Sequence, residues 1–208
     1  MVNVGYLSST TTILFSPTDH PTEKLITFLR SAKKNIYAAV YMITDKNIAD
    51  ELIRAQQNRN VDVQIVTDKI TMDNILGRGK YLVANNVPVF VFTGDPIANA
   101  LKEKNAFINS IMHHKFAIID DIVWAGSFNW TRSANQFNRE DVFVTDESEP
   151  RKKYLARFHE LKKECQLKTI KLVAPVTKMP TEPVFTYASI KDSLRSFFGF
   201  PATTPIRS

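Results

Sequence analysis

The sequence predicts an α/β sandwich: one domain built on a mixed, largely parallel sheet, followed by a C-terminal tail. Apolar runs of strand length alternate with amphipathic stretches of helix length from Thr11 to Phe92. A strand, helix, strand order calls for crossover connections, which make neighbouring strands parallel. Several of the apolar runs are continuous rather than alternating, as in strands covered on both faces. Helices on both sides of one sheet follow from that.

Thr11-Thr-Ile-Leu-Phe15 reads as a first strand, stopped by Ser16-Pro17. A helix follows from Thr22, where Leu25, Ile26 and Leu29 share one face. Ile36 to Met42 is apolar nearly throughout and reads as a central strand. Asp45 is placed to cap a helix whose buried stripe is Ile48, Leu52 and Ile53. Val61 to Val66 alternates as a strand, Ile75 to Ala84 reads as a helix and Val87 to Phe92 as another strand. The segment from Thr93 to Ser110 is long for a connection. It reads either as a substrate-binding loop or as a short covering helix around Ile97 to Lys104. Phe116 to Ile119 and Ile122 to Trp124 form strands, Thr131 to Phe137 a short helix and Val142 to Thr145 a strand. Pro150 then opens a helix with Leu155, Phe158 and Leu161 on one face. Three prolines fall between Val173 and Pro183. The expected organisation is a domain at 1–170, a Pro-rich linker at 171–185 and a tail at 186–208.

With 27 Lys plus Arg against 21 Asp plus Glu, the formal charge is +6. Such a surface attracts polyanions, whether nucleic acid or anionic lipid. Met1 to Phe15 has no basic start followed by an apolar core, and no eighteen apolar residues run together. The expectation is a protein with no membrane span in a reducing, cytoplasmic setting, or in the nucleoid or nucleus. Cys165 is the sole cysteine, which excludes an internal disulfide and a cysteine-rich metal site.

The chemistry concentrates in Met112-His-His-Lys-Phe-Ala-Ile-Ile-Asp120 and in Gly126-Ser-Phe-Asn129. A lone histidine is usually packed or solvated, and a lone Gly-Ser is usually a turn. Together the residues pair a potential nucleophile with a cation and a small-residue anion site. His113 and Lys115, two apart at the start of a strand, should face the same side. This H-x-K-x4-D pattern followed by G-S-x-N resembles the signature of the phospholipase D superfamily. Five residues separate Asp120 from Gly126 here, one fewer than is common there, and a shorter hairpin turn absorbs the difference. Phe15-Ser-Pro17, Tyr41-Met-Ile-Thr44, Val61 to Val66, and Gly126 to Thr131 with Asn138-Arg-Glu140 extend the resemblance, in the same order, to the single-motif, Nuc-type bacterial endonucleases.

That resemblance implies a phospholipase D-like α/β/α sandwich and a metal-independent phosphodiesterase without cofactor. It implies an endonuclease cutting DNA, and RNA as a further substrate, through a phosphohistidine. The motif occurs once, because His20 and His159 have no Lys two residues on. A site needing two such histidines then draws the second from another copy, so the resemblance implies a homodimer. His113 would be the nucleophile or the acid. Lys115, Asn129 and Ser127 would hold the phosphate, and Gly126 would allow close approach. Glu140 would hydrogen-bond the far nitrogen of the histidine, with Asp141 as the alternative. Asp120 is expected to tie down a turn, and His114 to pack.

Other readings compete with this one. A phospholipase D or cardiolipin hydrolase would use the same reaction centre, and a catalytically silent nucleic-acid-binding module would have no need of the nucleophile. Asp120, Asp121, Glu140 and Asp141 suggest a metal-dependent nuclease, but Lys and His already supply the positive charge. In the tail, Leu194, Phe197 and Phe198 follow Lys191 at the spacing of a sliding-clamp-binding peptide, although Gln is usual at the first position. The simpler reading of Tyr187 to Phe200 is an amphipathic helix folded on its own domain or on a second copy.

Overall fold

The computed structural model describes residues 10–95 and 110–168. Residues 96–109 of the segment before His113, the Pro-rich linker at 171–185 and the candidate docking residues Leu194, Phe197 and Phe198 lie outside the described residues.

Strand β1 (Thr11–Phe15) leads to α1 (Pro21–Ser31), whose first position is proline, where no intrahelical N–H is needed. Strand β2 (Asn35–Val40) precedes α2 (Lys46–Asn58). Asp45 caps α2, accepting from the backbone N–H groups of Asn47 and Ile48. Strand β3 (Asp62–Asp68) ends in a second cap, where Asp68 accepts from Ile70 N–H to start α3 (Lys69–Asp73). Then come α4 (Gly79–Ala84), β4 (Val89–Phe92), β5 (Lys115–Ile119), β6 (Ile122–Gly126), α5 (Arg132–Gln136), β7 (Asp141–Thr145), α6 (Ser148–Glu164) and β8 (Gln166–Lys168).

The strands form one eight-stranded sheet in the order β1-β7-β6-β5-β2-β3-β4-β8. The sheet is mixed, but only the β2–β3 and β3–β4 pairings are parallel, while the other five are antiparallel. The expectation of a largely parallel sheet is corrected here. Helical crossovers join neighbouring strands only at β2, β3 and β4; β5 and β6 are joined by a two-residue hairpin, and β1 lies at one edge, with three strands between it and β2, where it pairs with β7.

Three further boundaries differ from the sequence reading. Ile75 and Leu76 do not begin a helix. They are exposed in a turn closed by Gly77, where a Cβ would collide with the Thr71 carbonyl. The short α3 arises from the Asp68 cap, and β8 adds an edge strand that three residues of sequence do not announce. Ser148 rather than Pro150 opens α6.

One face of the sheet is covered by α1, α2 and α4, with Leu25, Leu29, Ile48, Leu52 and Leu82 packed on Ile36, Ala38, Val63 and Ile65. Helix α6 covers the other, placing Phe158 and Leu161 on Ala39, Val66, Phe116 and Val123. Buried Glu51 joins α1 to α2. Its carboxylate accepts from Arg30 at 3.1 Å, Arg54 at 3.2 Å and Arg59 at 2.8 Å. Burial would push its pKa up, but the three guanidinium groups outweigh that and hold it below the usual carboxylate value.

Candidate functional site

The carboxyl ends of β2 and β3 meet the start of β5 on one rim of the sheet. The carboxyl end of parallel strands is where open α/β sheets bind ligands, because the crossovers leave a crevice there. Lys115 begins β5 opposite Val40, the last residue of β2. His113 lies two residues before the strand. Its ring packs edge-on against Tyr41, with centroids 4.7 Å apart, and the Lys115 ammonium lies 5.0 Å from the centre of the same ring. Both groups of the H-x-K pair therefore sit on one side.

Lys115 is 7% exposed, and its Nζ donates to the His113 carbonyl at 2.6 Å. Burial lowers its pKa to about 8, against the opposing pull of Glu140. Burial also lowers the His113 pKa, and Lys115 adds to that, while Asp68 opposes it. Neutral imidazole beside a cation is the result at neutral pH. His114 is turned elsewhere. It packs against Phe116 and accepts from Arg157 at 3.5 Å, and burial followed by Arg157 lowers its pKa.

The β5–β6 register pairs Phe116 with Ala125, which brings Gly126 beside Lys115. A Cβ on Gly126 would collide with the Asp141 carbonyl of β7. Ser127 donates its hydroxyl to Glu140 at 2.6 Å and accepts from Asp141 N–H at 3.1 Å. Glu140 also accepts from Asn138 at 2.8 Å. Among the described residues of this chain, then, Glu140 is engaged by Ser127 and Asn138 and not by the far nitrogen of His113. The side-chain oxygen of Asn129 is buried and accepts no hydrogen bond from any described residue.

Asp120 faces away from this rim, at the β5–β6 turn, with φ of 51°. Its carboxylate accepts the backbone N–H groups of Lys33 at 2.8 Å, Lys34 at 2.8 Å and Asn35 at 2.9 Å. Burial pushes its pKa up, but these donors, Asn35 foremost, bring it below the usual value. Asp121 pairs with Arg151 on α6. Among the described residues no three His, Cys, Asp or Glu side chains are grouped to hold a metal ion, and no helix is long and apolar enough to cross a membrane.

Two residues of this site went unnoticed in the sequence. Tyr41 was legible only as a strand end. Asp68 is 3% exposed and accepts Met112 N–H at 3.0 Å, which fixes the backbone next to His113. An acidic residue at the carboxyl end of a parallel strand was the available signal.

A family model described as "Cardiolipin synthase, PLD-like domain" matches residues 25–162. The mitochondrial cardiolipin hydrolase of Xenopus tropicalis is 27% identical over 145 residues, which are 69% of this chain and 62% of that protein. The chain spans between half and two thirds of the length of the first curated relatives it matches. NucT from Helicobacter pylori superposes with a TM-score of 0.67 at 27% identity, covering 77% of this chain and all of that one. The phospholipase D family member Nuc from Salmonella typhimurium gives 0.66 at 22% identity, covering 78% of this chain and all of that one.

Proposed function

The chain belongs to the phospholipase D-like domain family, and from that premise we propose that it is a metal-independent phosphodiesterase, a homodimeric endonuclease acting on DNA and also on RNA. The observation that carries this reading is the His113–Lys115 pair, whose imidazole and buried ammonium meet the same Tyr41 ring.

A phosphodiester repels nucleophiles by its charge and loses a poor alkoxide leaving group. Lys115 answers the first problem by drawing a non-bridging oxygen toward His113. The His113 ring then attacks phosphorus, forming an N–P bond as the P–O bond breaks. The leaving oxygen takes a proton from the His113 ring of a second copy. Water adds its oxygen to phosphorus, the N–P bond breaks, and the water's proton returns to that second ring. Because each chain carries the motif once, two copies complete one site. Asn129 offers its amide N–H to the phosphate without adding charge. Glu140 holds Ser127 and draws on Lys115 through its charge. When a second copy is present, it is the carboxylate available to a histidine. Net charge of +6 favours a polyanion.

The relatives that hydrolyse cardiolipin set the competing substrate. Purified protein in EDTA is incubated with labelled single-stranded and double-stranded DNA, RNA and cardiolipin vesicles, beside His113→Ala. Cleavage of nucleic acid by the wild type alone supports the reading. Cleavage of cardiolipin alone transfers the same site to lipid. Binding without cleavage of any substrate indicates a silent nucleic-acid-binding module. Activity that EDTA removes and Mg²⁺ restores refutes the metal-independent mechanism.

A further inference from the structure

Tyr41 follows β2 on the site rim, and its backbone is tied on two sides. Its N–H donates to the His114 carbonyl at 2.8 Å, and its carbonyl accepts the hydroxyl of Thr71 at 2.9 Å. Thr71 is itself fully buried in α3. The ring therefore stands on a fixed base. The His113 imidazole and the Lys115 ammonium both meet it, while burial and then the charge of Asp68 raise the pKa of its hydroxyl.

Two contacts share that ring. The His113 imidazole crosses it edge-on at an interplanar angle of 60°, within the range that aromatic quadrupoles favour. The Lys115 ammonium approaches it at 5.0 Å, close enough for cation–π attraction. Among the described residues, the Tyr41 ring is the aromatic neighbour of the His113 ring and bears on its plane. Asp68 accepts the Met112 N–H and so holds the backbone from which His113 springs.

We propose that Tyr41 is a positioning residue for phosphodiester cleavage, an aromatic floor that sets the His113 ring plane and aims the Lys115 ammonium at the same point. The inference rests on the reading of His113 and Lys115 as the reacting pair. It requires an aromatic face and not a hydroxyl. Phenylalanine should serve, whereas leucine or methionine, which fill the space without a quadrupole, should not.

The charged and titratable groups facing this cluster are Asp68 from β3, Lys115 from β5, His114 beside it, Arg157 from α6, which contacts His114, and Glu140 before β7. None of them replaces the ring. Losing the ring removes the cation–π contact on the ammonium and the edge contact on the imidazole, so the chemical step slows. A packing role alone would lower thermal stability without slowing that step.

The experiment measures kcat, KM and the pH profile for Tyr41→Phe, Tyr41→Leu and Tyr41→Met on a labelled DNA oligonucleotide and on bis(para-nitrophenyl) phosphate, with His113→Ala in parallel. Tyr41→Phe should stay within about threefold of wild type with its basic limb unmoved. Tyr41→Leu should lose about tenfold or more in kcat at little change in KM. Tyr41→Met gives the same test if the leucine variant does not fold. Tyr41→Phe as inactive as Tyr41→Leu would assign the work to the hydroxyl and overturn the proposal. Ring-free variants with wild-type kcat would overturn it too. If His113→Ala stays active, the reading of the site itself has failed; if it is inactive while Tyr41→Leu is normal, only the inference about Tyr41 has.

Discussion

Replacing Asp120 by Asn separates the structural from the chemical members of the H-x-K-x4-D signature. In the native fold its two oxygens accept three backbone N–H groups, from Lys33, Lys34 and Asn35, while its own N–H donates to the Asn35 carbonyl at 3.0 Å. Hydrogen bonds to a charged acceptor contribute about 1.5–3 kcal/mol each when buried. The Lys33 and Lys34 donors are open to water, so they count for less. Asn retains one accepting oxygen and tolerates the positive φ, but it turns an NH₂ toward at least one backbone N–H. The net loss comes to about 1–2 kcal/mol, or about 2–8 °C in melting temperature for a domain of this size. Asp120→Ala should cost more, because all three donors lose their acceptor. The sign with pH is fixed as well. The folded carboxyl titrates below its unfolded value of about 3.9, so its stabilisation is present above that value and is lost as pH falls through the folded pKa. The gap between wild type and Asp120→Asn should be full at neutral pH and close in acid. Thermal unfolding is measured alongside cleavage at a temperature where both proteins are folded. Activity per folded molecule should remain within about threefold, an effect of under about 1 kcal/mol on the barrier. An Asn variant that melts with the wild type yet loses most of its activity would refute the structural assignment.

Activity should be confined to a pH window, since His113 must be neutral and Lys115 charged. Because one His113 ring must be neutral to attack and the second copy's protonated to release the leaving oxygen, the rate should rise and fall around histidine pKa values that burial holds below the ordinary one. It should be gone above about pH 8, where the buried ammonium loses its proton; a pH–kcat/KM series checks this, and a rate sustained toward about pH 10 would contradict it. Gly126→Ala should destabilise by about 1–3 kcal/mol, because its methyl meets the Asp141 carbonyl and must push β6 from β7; urea unfolding measures it, and a neutral effect would refute the close approach. Glu51→Ala should cost about 1–3 kcal/mol, because Arg59 loses its acceptor in a partly buried place while the exposed Arg30 and Arg54 turn to water, and wild-type urea stability would show the cluster to be dispensable. Sedimentation should give a dimer, and mixing His113→Ala with Lys115→Ala subunits should not restore normal rates, because each mixed pair still lacks one group; full activity in a monomer would end the two-histidine scheme.

What the sequence by itself determined was whatever is carried by local spacing. The Asp45 cap, the Leu25–Leu29 and Ile48–Leu52 stripes and the hydrophobic character of β2 and β5 follow from rules that reach only a few residues. The motif placed His113, Lys115, Asp120, Gly126 and Ser127 in one hairpin for the same reason. Strand direction was not local. The early strand–helix alternation suggests parallel pairing, but β1 sits at the sheet edge beside β7 with three strands between it and β2, and no periodicity records which strand a segment will pair with. Only the tertiary structure brought Tyr41 to His113, Asp68 to Met112 forty-four positions away, and Glu140 to Ser127. Each of these contacts joins segments whose sequences carry no common signal. A side chain's chemistry at this rim depends on what the fold packs beside it, and burial of Lys115, which lowers its pKa to about 8, exists only once the sheet has closed around it.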